Sequence, residues 1–81
     1  MLFNFDKLTG LIVEKFKTKK NFSKSINLSE RSVYLKLQGK VEFKPSEIDK
    51  ACELLDIKIE DIPIYFFDKK VQKNQTKEEL I

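Results

Sequence analysis

Between Asn21 and Gln38 the chain reads NFSKSINLSERSVYLKLQ, and this stretch limits most strongly what the whole can fold into. Phe22 and Ile26 stand four apart and share one helical face; Val33 and Leu37 do the same further on. One break separates the two patterns, at Asn27. A tight turn between helices needs a residue at positive φ, where Gly is cheapest and Asn next best, so Asn27 is expected to do the work of a glycine. Thr18 is placed to cap the first helix and Ser29 the second, each hydroxyl accepting a backbone N–H that would otherwise lack a partner. Leu28 packs inward as the turn closes. Two helices this short cannot stand alone, so the remaining chain must hold them up.

At about 100° per residue, the side of the second helix opposite Val33 and Leu37 carries Arg31 and Leu35, flanked by Ser32, Tyr34 and Gln38. A helix in a small domain ordinarily shows water a face of Lys and Glu. These side chains instead suit the edges of base pairs, where Arg can fork onto guanine and an aliphatic group can meet a thymine methyl. Glu30, at the start of the same helix, can accept from cytosine N4 or orient Arg31; equally, it is a favourable charge at a helix N-terminus. The plainer alternative for the others is that Leu35 is an ordinary half-buried residue and Tyr34 packs on a neighbouring loop.

The segment LSERSVYLKL, Leu28 to Leu37, resembles the recognition helix of the lambda-repressor-like helix-turn-helix superfamily. It is most similar to small Cro-type regulators of temperate phages of Gram-positive bacteria, in which an LSERS-x-x-x-KL pattern recurs. The likeness runs from about Asp6 to Ile62 and extends to the YFF segment. Three positions depart from the superfamily pattern: Ser23 stands where Ala or Gly is usual, Asn27 where Gly is usual, and Lys36 where an apolar residue is usual, with Leu37 able to take the core role. The resemblance implies a compact all-α domain of five helices, a helix starting after Ser29 that enters the major groove, and a backbone contact at Lys19.

Composition agrees with a small regulator. Eighty-one residues allow one domain and one modest core. No apolar run approaches the length of a bilayer span and no signal peptide is visible, so a cytoplasmic protein of a bacterial host cell is expected, nucleoid-associated when bound. The single cysteine, Cys52, precludes an internal disulfide and reads as a buried thiol. Histidine is absent, and the only glycines are Gly10 and Gly39, which removes zinc-finger spacing, Ser-His triads and a phosphate-cradling loop. No enzyme, metal, cofactor, small-molecule substrate or membrane is therefore expected. Charge is uneven. Residues 1–44 hold ten basic and four acidic side chains, a balance of +6, whereas 45–81 hold six basic and nine acidic, a balance of −3. A basic half that contains the helix pair is the footprint of a module docking on phosphates, although lysines also serve solubility alone.

Along the chain, Leu2, Phe3 and Phe5 lie back across the core or against the C-terminal segment. Asp6 reads as the N-cap of a first helix running through Lys17, with Leu8, Leu11, Ile12 and Phe16 at helical spacing. Gly10 within it suggests a close approach by another helix. Lys17, Lys19, Lys20 and Lys24 cluster where the second helix begins. Its N–H groups can hold a phosphate, so Thr18, Lys19 and Lys20 are phosphate candidates and Ser29 a further one, whereas Lys24 reads as solvated. Gly39 ends the recognition helix. Lys40 and Lys44 sit in the next loop, which in related domains follows the sugar-phosphate backbone, with Val41 and Phe43 as anchors between them. Pro45 and Ser46 open a fourth helix, with Ser46 and Asp49 resembling a capping box, Ile48, Ala51, Cys52 and Leu55 as a buried stripe, and Glu47, Lys50 and Glu53 facing solvent. A short fifth helix is expected over Asp56 to Ile62, stopped by Pro63.

The run Ile64, Tyr65, Phe66, Phe67 is rich in β-formers and reads as a short extended segment. It either folds back onto Phe3 and Phe5 or pairs with a second subunit; the usual dimeric reading of two half-sites favours a homodimer. The expected organisation is thus a domain over 1–67 and a polar tail over 68–81. The expected function is sequence-specific binding of double-stranded operator DNA by a Cro-type repressor, with Glu30, Arg31, Ser32, Tyr34, Leu35 and Gln38 toward bases. Two alternatives stand beside it: a protein-interaction module, such as an antirepressor, that keeps the same core but uses Tyr34, Leu35 and the IYFF run to hold a protein, and an antitoxin or host regulator of the same superfamily.

Overall fold

The computed structural model describes residues 3–69. Five α-helices follow one another, α1 (Asp6–Phe16), α2 (Lys19–Ile26), α3 (Glu30–Leu37), α4 (Pro45–Leu55) and α5 (Ile62–Phe66), with a single 3₁₀ turn at Ile59–Asp61 before the last. Among the described residues there is no strand, only one antiparallel bridge between Phe3 and Lys69. This is the all-α architecture that the helical spacing demanded. The polar tail beyond Lys69 lies outside the described residues.

The helix boundaries follow local chemistry. Thr18 Oγ1 accepts from the Asn21 N–H at 3.0 Å and Ser29 Oγ from the Ser32 N–H at 3.0 Å, the two caps expected from the sequence. Asn27 takes the left-handed conformation at φ 65°, and the Leu28 N–H reaches back to the Ser23 carbonyl at 2.9 Å, so α2 ends in a closed turn that aims α3. Gly39, at φ 80°, ends α3 in the same manner, with Lys40 N–H donating to the Leu35 carbonyl at 2.9 Å.

Other boundaries differ from the sequence expectation. Asp6 is the first residue of α1 rather than its cap; the Asp6 N–H is taken by the Asn4 side-chain oxygen at 2.8 Å. At α4 the reach-back carboxylate belongs to Glu47, not Asp49, and accepts the Lys44 N–H at 2.9 Å. Asp56 does not begin a fifth helix. It closes α4 in the left-handed region at φ 59°, and Pro63 stands at the start of α5 instead of stopping its predecessor. Proline fits there because first-turn N–H groups have no intrahelical acceptor. The Ile64–Phe67 run is therefore mostly helical, its β-forming composition overridden by the surface it packs on.

The core is drawn from every helix: Leu8 and Ile12 of α1, Phe22 and Ile26 of α2, Val33 and Leu37 of α3, Ala51 and Leu55 of α4, and Phe66 of α5. Phe5 joins them from the N-terminal segment, and Ile48 and Cys52 are only half-buried at its edge. Burial and the nearby Asp49 push the Cys52 thiol up, so it stays protonated at neutral pH. Ser23 fits inside α2 by donating its hydroxyl to the Lys20 carbonyl at 2.7 Å, which is how a polar residue occupies a place usually given to Ala or Gly.

Five phenylalanines link the two ends of the fold. Phe67, Phe3, Phe5, Phe43 and Phe66 form an unbroken series of edge-to-face pairs with centroids 5.3–6.4 Å apart. The Asn4 N–H donates to the Asp68 carbonyl alongside them. The IYFF run thus folds back onto Phe3 and Phe5 within one chain. Phe66, 2% exposed, is consumed by the core and is unavailable to a second subunit; Tyr65 is half-buried, and only Ile64 and Phe67 point outward.

Gly10 lies on the exposed side of α1, and a Cβ placed there would meet nothing within 4 Å, so no helix approaches it. Its cost is the entropy of an unsubstituted helix position. Gly10→Ala should therefore stabilise the protein by about 0.5–1 kcal/mol in a urea titration. A loss of stability would mean that a neighbour meets that face after all.

Candidate functional site

Helix α3 is held by its inward residues Val33 and Leu37 and capped firmly at both ends, so its other side is presented as a fixed surface. Glu30, Arg31 and Gln38 are exposed there, and Tyr34 is 48% exposed. Leu35 is half-buried, its outer edge completing the strip. Ser32 is half-buried and bonded to Ser29, whose hydroxyl lies 3.0 Å from its own. Among the described residues Arg31 makes no ion pair, which leaves its guanidinium free to bind.

The basic residues singled out in the sequence divide into two groups. Lys20 is exposed near the start of α2, with Lys19 half-buried beside it and Thr18 committed to capping. Lys40 and Lys44 are exposed on the α3–α4 loop. Val41, between them, is not the anchor expected; it is 42% exposed, and of the two apolar residues only Phe43 packs on the core.

Lys36 explains that loop. Its side chain is drawn inside, leaving the residue 5% exposed, and its ammonium lies 2.9 Å from Glu47 Oε1 while donating to the Glu42 carbonyl at 3.1 Å. The same Glu47 oxygen accepts the Lys44 N–H. One carboxylate therefore joins the end of α3, the loop and the start of α4. Glu47 does not face solvent as its helical position suggested; its side chain is 13% exposed. Burial alone would push its carboxyl up, but the Lys44 N–H and the Lys36 ammonium outweigh that and hold it below its ordinary value of 4.5. Sequence reasoning registered Lys36 only as a departure from an apolar pattern. The signal that could have found the pair is a lysine at a core position together with a glutamate in the first turn after Pro45, and pairing them requires knowing how α3 and α4 cross.

Among the described residues no group of three or more Cys, Asp or Glu is gathered to hold a metal ion, and no helix is long and apolar enough to cross a membrane. What the geometry offers is a rigid, mixed surface: an arginine, a tyrosine, an amide and aliphatic edges on α3, continued by a loop whose backbone is tied down.

A family model described as a protein of unknown function, DUF739, matches residues 1–69. The chain belongs to the DUF739 family. The match spans all five helices and the terminal bridge. A solved structure similar to this DUF739 chain is the solution structure of the modulator of repression (MOR) of the temperate bacteriophage TP901-1 from Lactococcus lactis, at 46% identity, covering 89% of this chain and 97% of that one, with a TM-score of 0.73. No protein with a curated description matches.

Stability should report the Lys36–Glu47 contact directly. Removing the ammonium by Lys36→Met leaves a largely buried carboxylate and an unpaired Glu42 carbonyl, at a cost of about 3 kcal/mol in chemical denaturation. Because the Glu47 carboxyl is depressed in the folded protein, its contribution is complete above about pH 4.5 and is lost as pH falls through the lower folded value. Glu47→Gln should flatten the stability curve in that acid window; an unchanged acid limb would show that Glu47 is not held by these partners.

Proposed function

We propose that this protein modulates repression in a temperate-phage switch by holding a protein, the repressor of that switch, on the outward side of α3. The observation that carries the reading is the character of this surface. Its centre is Tyr34 with the edge of Leu35, continued by Val41, and its helical cation is an arginine, whereas the lysine of the same helix is turned inside. Tyr and Arg dominate the energetic centres of protein interfaces, and Lys and Glu are depleted there. The likeness to a modulator of repression over nearly the full length of both chains supports the same reading.

A second reading, insertion of α3 into the major groove of operator DNA by a Cro-type repressor, is favoured by the free guanidinium of Arg31 and by exposed Lys20, Lys40 and Lys44 around it. In that reading Glu30, Arg31, Ser32, Tyr34, Leu35 and Gln38 meet bases, and Thr18, Lys19, Lys20, Ser29, Lys40 and Lys44 meet phosphates. The two readings differ in how much of the binding free energy comes from counterion release.

Salt separates them. Binding of a purified temperate-phage repressor should weaken by less than about tenfold between 50 and 200 mM salt, whereas a DNA complex resting on six phosphate contacts would weaken by about 10³ over the same range. Leu35→Glu should abolish the protein complex. If the repressor does not bind and a steeply salt-dependent footprint appears on DNA flanking the gene, the second reading replaces the first; Arg31→Ala would then cost about 1–3 kcal/mol on the operator and Lys40→Ala would weaken all sequences alike.

A further inference from the structure

A cavity of about 180 Å³ opens beside the α3–α4 loop, and nothing in the proposed function uses it. Its walls are the five linked phenylalanines, Phe3, Phe5, Phe43, Phe66 and Phe67, closed on one side by Ile48 of α4. Val41 and Phe67, each close to half exposed, form its mouth, which no described residue covers. An aromatic-lined hollow of this kind gains little from water, because its lining is mostly apolar, with Glu42 the one charged side chain in it. A cavity of about 150 Å³ lined by Leu, Ile and Phe takes up benzene, so this one is large enough for a phenyl ring or a leucine side chain.

We infer that this aromatic pocket is the anchor point of the α3 surface and receives one Phe or Leu side chain of the bound repressor; the inference rests on the protein-binding reading above. Continuity argues for that occupant. Lys40 N–H is bonded to the Leu35 carbonyl, and the next residue, Val41, both belongs to the proposed surface and lines the pocket, so the two share that residue. The loop between them is tied at two points, since Lys36 donates to the Glu42 carbonyl and Glu47 accepts the Lys44 N–H. A preformed hollow that shares Val41 with the surface carrying exposed Tyr34 and Arg31 is the kind of place where an apolar anchor contributes most to an interface.

Charge narrows the partner further. Glu42 stands at the pocket's edge and, among the described residues, its carboxylate makes no ion pair. The occupant is thus an apolar side chain with a Lys or Arg close by, as on the basic surface of a DNA-binding protein. Such a partner would meet Glu42 while its apolar anchor enters between Val41 and Phe67.

Benzene titrated into isotopically labelled protein should shift the methyl signals of Val41 and Ile48 and the ring signals of Phe5 and Phe43, and leave those of α1 and α2 in place. Val41→Trp, which puts an indole across the mouth from a solvent-exposed position, should remove the benzene shifts and weaken repressor binding at least tenfold with the fold retained. Glu42→Lys should weaken the repressor complex by a similar factor without affecting benzene. Three results would overturn the inference: no benzene shifts at the pocket; a repressor affinity within twofold of the parent for Val41→Trp when Leu35→Glu abolishes the complex; or a dimer in light scattering that Val41→Trp dissociates, which would assign the pocket to a second copy. The second of these leaves the α3 reading standing, whereas a repressor complex indifferent to Leu35→Glu would remove that reading and this extension together.

Discussion

A lysine ammonium inside the domain holds the surface of this protein in one shape. Lys36 sits on α3 at a place where an apolar side chain would pack more simply, and its charge is tolerated only because Glu47 and the Glu42 carbonyl meet it at hydrogen-bonding distance. An apolar residue there would fill the same space but leave the Glu47 carboxylate and the Glu42 carbonyl without the ammonium that meets them. The ion pair is directional, and it fixes where residues 40–44 run. Loop and helix consequently form one continuous rigid surface.

The second constraint is the row of phenylalanines. Phe3 and Phe5 precede α1, Phe43 lies on the loop, and Phe66 and Phe67 end α5, so three distant parts of the chain meet in one aromatic assembly. It closes the small core and ties both ends of the described chain together. It also consumes Phe66, which a dimer through that run would have needed at its surface, and it leaves a hollow near the α3 strip. The packing that stabilises the domain therefore also shapes its exterior.

The geometry of α3 is compatible with two kinds of partner, and the difference between them is one of energetics. Reading DNA draws on many spaced cations and the release of counterions; holding a protein draws on a few desolvated anchors. This surface has few cations on the helix itself and several apolar groups, and the related chain of known structure is a modulator of repression. A regulator that keeps a fold of this kind but changes the chemistry of its outward face can act on another regulator instead of on the operator.

Much of the fold was legible because its signals are local. The spacing of Phe22 with Ile26 and of Val33 with Leu37, the caps at Thr18 and Ser29, and the left-handed turns at Asn27 and Gly39 depend on residues within a few positions of one another. Sequence determined those elements, and with them which side of α3 would face out. Tertiary structure alone decided the rest: that Glu47 turns inward to Lys36, that Val41 is free while Phe43 anchors, that Pro63 starts a helix, and that IYFF folds onto its own N-terminus. The inward turn of Glu47 and the folding back of IYFF depend on contacts between residues distant in the chain, and the free energy of such a contact comes from desolvation and packing that exist only once the helices have met.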